Sequence, residues 1–231
     1  IRNEKMESVI RYKAAVIGGT GGVGKQIINI LNLDERCTEI KTIVRHTREE
    51  WKTEEFKEKL RVVETESLDN IQDHAEEFEG YDIFFCAIGT RVGVGKELFY
   101  KVDHDYPVSF ANVAVTNKAH AYYLVSAMGA KASSWTYYSK VKGQTEEDIK
   151  LLHLNNLAIC RPGLLMERDN DERFGEKVAS WIPFLPKITC RDVAKAYVEH
   201  AVASIEKKDL KEFTLLDNSE LLDWAKKSQI E

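Results

Sequence analysis

Short apolar runs alternate with longer amphipathic stretches along most of this chain. Most of the runs are continuous rather than alternating, which is typical of parallel strands covered on both faces. They predict six strands, at 13–17, 40–44, 61–63, 83–88, 121–125 and 157–160. The stretches between them predict helices at 23–31, 71–78, 98–117, 134–152 and 191–205, a solvated helix at 49–59, and a final strand and helix at 212–216 and 220–227. Strands that alternate with helices predict an α/β fold, a doubly wound parallel sheet with helices on both faces.

The first predicted strand ends in a glycine-rich turn that leads directly into an apolar helix. Gly18, Gly21 and Gly24 fall at a G-x-x-G-x-x-G spacing. In a dinucleotide-binding β-α-β unit the first glycine makes the turn, the second lets the backbone approach a pyrophosphate, and the third lets the helix pack on the strand. We predict cofactor binding by the whole loop, Gly18, Gly19, Thr20, Gly21, Gly22, Val23 and Gly24. The alternative is a purely structural turn, and the spacing is not that of a Walker P-loop.

The residue after the second strand indicates which dinucleotide binds. In this fold an acid at that position binds the free 2′-hydroxyl of the adenine ribose, whereas an arginine favours a 2′-phosphate. Here Val44 is followed by Arg45-His46-Thr47-Arg48, without a carboxylate. We therefore predict NADP(H) as the cofactor, with Arg45 ahead of Arg48 as the phosphate ligand. The alternative for both arginines is an ordinary surface charge.

Three further turns follow predicted strands at the same edge of the sheet. Glu64, after the third strand, is a candidate contact to adenine. A turn of small residues after the fourth strand, with Ala87 and Gly89, is a candidate passage for the cofactor, although Gly89 is equally well explained as a loop glycine. The turn after the sixth strand, Arg161-Pro162-Gly163, is expected near the nicotinamide or is only a structural turn.

Tyr138 and Lys142 are the candidate catalytic pair. They are four residues apart, which places both on one face of a helix. An ammonium beside a phenol stabilises the phenolate, so the tyrosine can donate a proton to a carbonyl oxygen while NADPH supplies hydride. Lys142 is also expected to contact the nicotinamide ribose. Ser126, at the end of the fifth strand, is expected to hold the substrate oxygen. The alternative is a solvated helix face with one partly buried tyrosine.

Together these motifs resemble the short-chain dehydrogenase/reductase superfamily, and most closely its atypical members. The segments 85–90, 102–106, 124–130 and 141–143 are similar to the Tat-interacting-protein oxidoreductase branch. The resemblance runs from about Lys13 to Val202. It implies a Rossmann fold that binds NADPH, with Tyr138 and Lys142 matching the family's catalytic pair.

The chain departs from that branch at three places. Ala127 stands where the branch usually has the second of two serines, Glu64 replaces an aspartate, and the short segment past Gly163 matches poorly. Two hypotheses follow. The first is an NADPH-dependent oxidoreductase that transfers hydride to a small carbonyl substrate. The second is an NADP(H)-binding scaffold, regulatory protein or accessory subunit of a larger assembly, with little or no turnover.

Composition, charge and residue spacing limit the domain organisation and the kinds of partner that we expect. We predict one NAD(P)-binding Rossmann domain over 1–231, with 163–190 and 206–231 forming a small C-terminal lobe. The net charge of −5 disfavours nucleic acid, and no apolar run is long enough to span a membrane. The four cysteines and six histidines show no metal-ligand spacing, so no metal site is predicted. We expect a cytoplasmic protein, or a mitochondrial one if a targeting peptide preceded Ile1. Protein partners are possible, and either a monomer or a dimer fits the helix patterns.

Overall fold

A seven-stranded parallel sheet forms the centre of the protein. The computed structural model describes residues 10–166, 185–206 and 212–230. The strands in chain order are β1 (Tyr12–Ile17), β2 (Cys37–Val44), β3 (Leu60–Glu64), β4 (Ile83–Cys86), β5 (Ala121–Val125), β6 (Leu157–Arg161), β7 (Leu164–Met166), β8 (Lys187–Thr189) and β9 (Phe213–Asp217). All except β7 and β8 join the central sheet, in the order β3-β2-β1-β4-β5-β6-β9, while β7 and β8 pair separately in parallel.

The strand order reverses direction between β1 and β4. β1 pairs with β2 on one side and with β4 on the other, and every pairing in the central sheet is parallel. Such a switch point opens a crevice at the carboxyl ends of the strands, where ligands bind in open α/β sheets. The register brings the last residues of β1 and β4, Ile17 and Cys86, side by side. The turns that follow these strands therefore meet at one edge of the sheet.

Helices cover both faces of the central sheet. They are α1 (Gly22–Leu33), α2 (Glu54–Lys57), α3 (Lys96–Tyr100), α4 (Tyr106–Thr116), α5 (Tyr137–Lys150), α6 (Cys190–Glu206) and α7 (Asn218–Ala225). A π-helical turn over Lys101–Asp105 joins α3 to α4. The doubly wound architecture predicted from the sequence is confirmed.

The alternation of side chains along β1 gives each face of the sheet its own core. Ala14 and Val16 pack with Ile27 of α1 in one cluster, which also contains the buried side chains of α6. Ala15 and Ile17 belong to a second cluster on the opposite face, with the aromatic residues near α4. Because both faces of the strands are buried, the strands have continuous apolar sequences.

Several element boundaries differ from the sequence prediction. The segment Ile71–Phe78 is 3₁₀-helical, and the predicted helix at 98–117 begins earlier and contains the π turn. The predicted helix at 49–59 is split into a 3₁₀ turn, Glu49–Lys52, and α2. The fourth strand ends at Cys86 rather than at Ile88.

The predicted C-terminal lobe is only partly within the described residues. From its first part, 163–190, the structure describes 163–166 and 185–190, which contain the β7–β8 pair. Residues 167–184 lie outside the described residues. From its second part, β9 extends the central sheet next to β6, and α7 packs against α6. The final strand therefore contributes to the main sheet.

Candidate functional site

The glycine loop between β1 and α1 is packed too closely for larger residues. Gly18 has a φ of +80°, and a Cβ there would lie 2.5 Å from the Ile88 nitrogen. A Cβ on Gly24 would lie 2.1 Å from the Gly18 carbonyl oxygen. The loop is closed by a hydrogen bond from the Gly21 N–H to that same oxygen, at 2.9 Å. The first and third glycines therefore make the tight turn and the close helix packing predicted for them.

The N-terminus of α1 presents backbone N–H groups to a ligand. Gly21 is its N-cap residue, no side chain among the described residues caps it, and its first turn has no acidic residue. Thr20 and Gly21 are exposed, so this end of the helix is reachable from solvent. Unpaired N–H groups and the positive end of the helix dipole favour an anion. The loop thus fits the pyrophosphate of a dinucleotide.

Arg48, rather than Arg45, makes the contact to the glycine loop. Its Nη1 donates to the carbonyl oxygen of Thr20 at 3.1 Å, and its Nε lies 2.9 Å from a carboxylate oxygen of Glu50. Lys25, in the first turn of α1, lies 3.5 Å from the same oxygen. Arg45 is exposed, and no described residue forms an ion pair with it. Both arginines lie on the loop after β2, where the sequence predicts the phosphate ligand.

Glu64 stabilises the loop that carries Arg45 and Arg48. Its carboxylate accepts hydrogen bonds from the Thr47 hydroxyl and from the Thr47 N–H, the latter at 2.7 Å. The hydroxyl hydrogen bond is the main reason that the pKa of Glu64 lies below its ordinary value. The position predicted to contact adenine therefore also fixes the loop after β2.

A buried carboxylate links the turn after β4 to the helix that carries the candidate catalytic pair. Asp103, in the π turn, is 2% exposed and accepts a hydrogen bond from the Thr90 N–H at 2.8 Å. Its other carboxylate oxygen lies 3.3 Å from Lys142 Nζ. A Cβ on Gly89 would lie 3.1 Å from Asp103 Oδ1. The turn with Ala87 and Gly89 is thereby tied to Lys142.

Lys142 is held between β5 and the π turn. Only 5% of the residue is exposed, and Nζ also donates to the carbonyl oxygen of Val125 at 3.3 Å. Thr145, on the same helix, donates to the backbone carbonyl of Asp103 at 2.8 Å. A buried ammonium needs an anion and further acceptors, and Asp103 and Val125 supply them.

Tyr138 lies one helical turn before Lys142 on α5, at the border of solvent. The residue is 39% exposed, and its ring centroid lies 5.8 Å from that of Phe99. Within the described ranges its hydroxyl has no hydrogen-bond partner. The neighbouring Tyr137 differs, because its hydroxyl donates to the carbonyl oxygen of Lys96 at 2.8 Å. Tyr138 therefore has an accessible hydroxyl on the helix face that it shares with Lys142.

Ser126 hydrogen-bonds to a buried glutamate, Glu146. Its hydroxyl donates to Glu146 Oε1 at 2.5 Å. The same carboxylate takes two hydrogen bonds from Arg161, Nε at 3.0 Å and Nη2 at 2.5 Å. The hydrogen bond with Glu146 raises the pKa of Arg161 above its ordinary value. One carboxylate on α5 thus holds the ends of both β5 and β6.

The turn after β6 is anchored through its backbone. The carbonyl oxygen of Pro162 accepts a hydrogen bond from the Met128 N–H at 3.0 Å, which joins it to the turn after β5. The Gly163 N–H donates to Asn218 Oδ1 at 2.8 Å. A Cβ on Gly163 would lie 2.1 Å from the Pro186 carbonyl oxygen, so this turn also requires its glycine.

Sequence reasoning missed two residues at this edge of the sheet, Asp103 and Glu146. Both are acidic and buried, and each forms an ion pair with a predicted site residue. The sequence contains a signal for Glu146, because it lies four residues after Lys142 and therefore on the same face of α5 as Tyr138 and Lys142. Asp103 had none, since it lies within the predicted helix 98–117 like any solvated charge.

The structure also addresses metals, thiols and membrane spans. Across residues 10–166, 185–206 and 212–230, no group of three or more histidine, cysteine, aspartate or glutamate side chains is arranged to hold a metal ion. All four cysteines are buried. None of the helices in the described ranges is long and apolar enough to cross a membrane.

Comparisons with known proteins identify the family of this chain. A family model described as NAD(P)H-binding matches residues 18–203. The HTATIP2 protein of Rattus norvegicus is 30% identical over 166 residues, 71% of this chain and 67% of the relative. A mitochondrial FMP52 protein of Meyerozyma guilliermondii is 32% identical over 228 residues, 93% of this chain and 95% of the relative.

Solved structures agree on the fold. A short-chain dehydrogenase/reductase from Saccharomyces cerevisiae superposes with a TM-score of 0.69 at 15% identity, covering 92% of this chain and 99% of that chain. A UDP-N-acetylglucosamine 4-epimerase from Methanobrevibacter ruminantium M1 gives 0.69 at 13% identity, covering 90% and 76%. The chain belongs to the NAD(P)H-binding family, is related to HTATIP2 and the FMP52 proteins, and has the Rossmann fold of the short-chain dehydrogenases/reductases.

Proposed function

We propose that this protein is an NADPH-dependent reductase of small carbonyl compounds. The observation that carries the proposal is the buried Asp103–Lys142 pair one helical turn from the accessible hydroxyl of Tyr138. A lysine held inside the protein by a carboxylate and a backbone carbonyl, one helical turn from Tyr138, would stabilise a phenolate there. On a merely solvated helix face the Lys142 ammonium would be exposed, because burying a charged group costs free energy.

The cofactor would be held along the carboxyl edge of the sheet. The glycine loop and the N-terminus of α1 would bind the pyrophosphate, and Arg45 and Arg48 the 2′-phosphate. Glu64 would border the adenine, and the turns with Ala87, Gly89 and Arg161-Pro162-Gly163 would border the path to the nicotinamide. Lys142 would hydrogen-bond the nicotinamide ribose. When bound, the cofactor supplies the hydride.

The protein's own part in the reaction is to place and transfer one proton. Tyr138 donates its hydroxyl proton to the carbonyl oxygen of the substrate and becomes a phenolate. Lys142 stabilises that phenolate, and Asp103 keeps Lys142 in position. Ser126 was predicted to orient the substrate oxygen, but its hydroxyl proton goes to Glu146. It therefore retains only acceptor capacity, and Tyr138 is the proton donor.

Replacing Tyr138 by Phe tests this mechanism. Small aldehydes, ketones and quinones would be screened with NADPH, and cofactor oxidation followed by the loss of its absorbance. We expect Tyr138→Phe to lower kcat by about 10²-fold or more, the range for losing a general acid, with little change in NADPH affinity. Tyr137→Phe is the matched control, because it removes a neighbouring hydroxyl that is bonded to Lys96. Equal activity in both variants would refute the assignment.

A second candidate function is an NADP(H)-binding scaffold or accessory subunit. It is favoured by Ala127 beside Ser126, and by the hydrogen bond that directs the Ser126 hydroxyl to Glu146. Tight NADPH binding without turnover of any carbonyl in the screen would favour this function. Because the FMP52 relatives carry the word mitochondrial in their names, we propose mitochondrial rather than cytoplasmic localisation, which cell fractionation tests.

A further inference from the structure

A carboxylate occupies the cation cluster beside the glycine loop. Glu50 Oε1 lies 2.9 Å from Arg48 Nε and 3.5 Å from Lys25 Nζ, and Glu50 Oε2 lies 3.3 Å from Arg48 Nη2. Arg48 is also anchored to the loop through the carbonyl oxygen of Thr20. The glutamate thus bridges the loop after β2 and the first turn of α1.

A guanidinium and an ammonium around one anion are the chemistry that binds a phosphate. Arg48 can present two N–H groups to an oxyanion, and Lys25 adds a point charge. Here both cations converge on a carboxylate that belongs to the protein itself. The three side chains are 21–40% exposed, so another anion has access to the cluster from solvent.

We propose that Glu50 competes with the 2′-phosphate of NADPH for Arg48 and Lys25, and that it thereby sets how strongly the protein prefers NADPH over NADH. The inference rests on the proposed binding of NADPH at the glycine loop. A 2′-phosphate brings additional negative charge to cations that already pair with Glu50. Glu50 must give up its contacts to Arg48 and Lys25, or remain close to a phosphate of like charge, and both outcomes weaken NADPH binding. NADH has no 2′-phosphate and does not enter this competition.

Glu50→Gln tests the proposal directly. Glutamine keeps the size of the side chain and one acceptor oxygen, and it removes the negative charge. The matched control is Glu49→Gln at the neighbouring position, where the glutamate side chain is 86% exposed and pairs with Lys52 at 2.6 Å. Adenosine 2′,5′-bisphosphate and 5′-AMP serve as probes along with NADPH and NADH, because they differ only in the 2′-phosphate. Affinities are measured by calorimetric titration at low and high salt.

We expect Glu50→Gln to tighten NADPH and adenosine 2′,5′-bisphosphate by about two- to fivefold at low salt, the scale of one partly screened charge contact. NADH and 5′-AMP should change by less than about twofold on the same scale. Glu49→Gln should leave the ratio of the NADPH and NADH affinities unchanged, and high salt should reduce the gain.

Weaker NADPH binding by Glu50→Gln would overturn the proposal, because Glu50 would then be orienting Arg48 for the phosphate. An equal gain for NADH, or the same gain in Glu49→Gln, would also overturn it, since a general charge effect would explain both. Failure of the wild-type protein to bind either nucleotide would instead overturn the proposed function itself. Circular dichroism melting of each variant checks that the fold is retained.

Discussion

The buried pair of Asp103 and Lys142 allows a quantitative test of how this site is held. The side chains are 3% and 6% exposed, and their charged atoms lie 3.3 Å apart. At an effective dielectric constant of about 20, two unit charges at that distance attract by about 5 kcal/mol. Removing one partner of a buried pair typically costs about 3–5 kcal/mol, because the remaining charge is left without its counter-ion.

We therefore expect Asp103→Asn and Lys142→Met each to lower the free energy of unfolding by about 3 kcal/mol or more. Asparagine at position 103 can still accept the hydrogen bond from the Thr90 N–H. The loss of unfolding free energy in this variant therefore measures the loss of the negative charge. In the double variant neither charge remains, and its destabilisation should be smaller than the sum of the two single values by at least about 2 kcal/mol.

Urea-induced unfolding at neutral pH, without cofactor, measures the three variants and the wild type. Single costs that add to within about 0.5 kcal/mol would refute the coupling. Glu49→Gln is the control, because its partner Lys52 is on the surface and the pair is exposed to solvent. It should leave the unfolding midpoint unchanged.

Three more predictions concern packing and pH. Gly24→Ala places a Cβ 2.1 Å from the Gly18 carbonyl oxygen. NADPH should therefore bind at least about tenfold more weakly in a titration. Unchanged affinity would contradict the role of this packing in cofactor binding. Gly143→Ala places a Cβ 2.1 Å from the Ala132 nitrogen and should cost about 1–3 kcal/mol in urea unfolding. Gly93→Ala is the control that should fold normally, because none of the described residues outside its chain neighbours comes within 4 Å of the added Cβ. Burial lowers the pKa of His200 from 6.5 to about 4. The unfolded chain therefore takes up this proton first, and about 3 kcal/mol of stability should be lost as the pH falls from 6.5 to 4, and none above 6.5. Urea midpoints of the wild type and His200→Gln across this range should show a flatter profile for the variant, and parallel profiles would contradict the assignment.

Local sequence patterns were sufficient for the strands of the central sheet and for the glycine loop, but not for the β7–β8 pair. The apolar runs are strands because both faces of the sheet are buried, and Gly24 is needed because a Cβ there would collide with Gly18. The 3₁₀ geometry of Ile71–Phe78 was not predictable, because its apolar positions Ile71 and Phe78 fit an α-helix equally well.

Contacts between distant residues were beyond the reach of these patterns. Asp103 and Lys142 are separated by 39 residues, and Ser126 and Glu146 by 20. Whether a charged residue is solvated or buried depends on which strands and helices meet, and no spacing within one helix encodes that. The cluster of Glu50 with Lys25 and Arg48 was hidden for the same reason, since Lys25 and Arg48 lie on different elements.

The π turn between α3 and α4 constrains how this chain can change in length. A π turn is equivalent to one residue added to an α-helix, and each residue of an α-helix rotates the side chains by about 100°. Phe99 before the turn packs on Tyr138 at the site, whereas Phe110 after it packs on Phe84 in the core. A deletion of one residue within 101–105 would give a regular helix in which these two phenylalanines no longer face their partners together. The extra residue thus links the orientation of the helix side chains in the core to their orientation at the site. An insertion or deletion in this helix would displace one of the two sets even where no side chain touches a ligand.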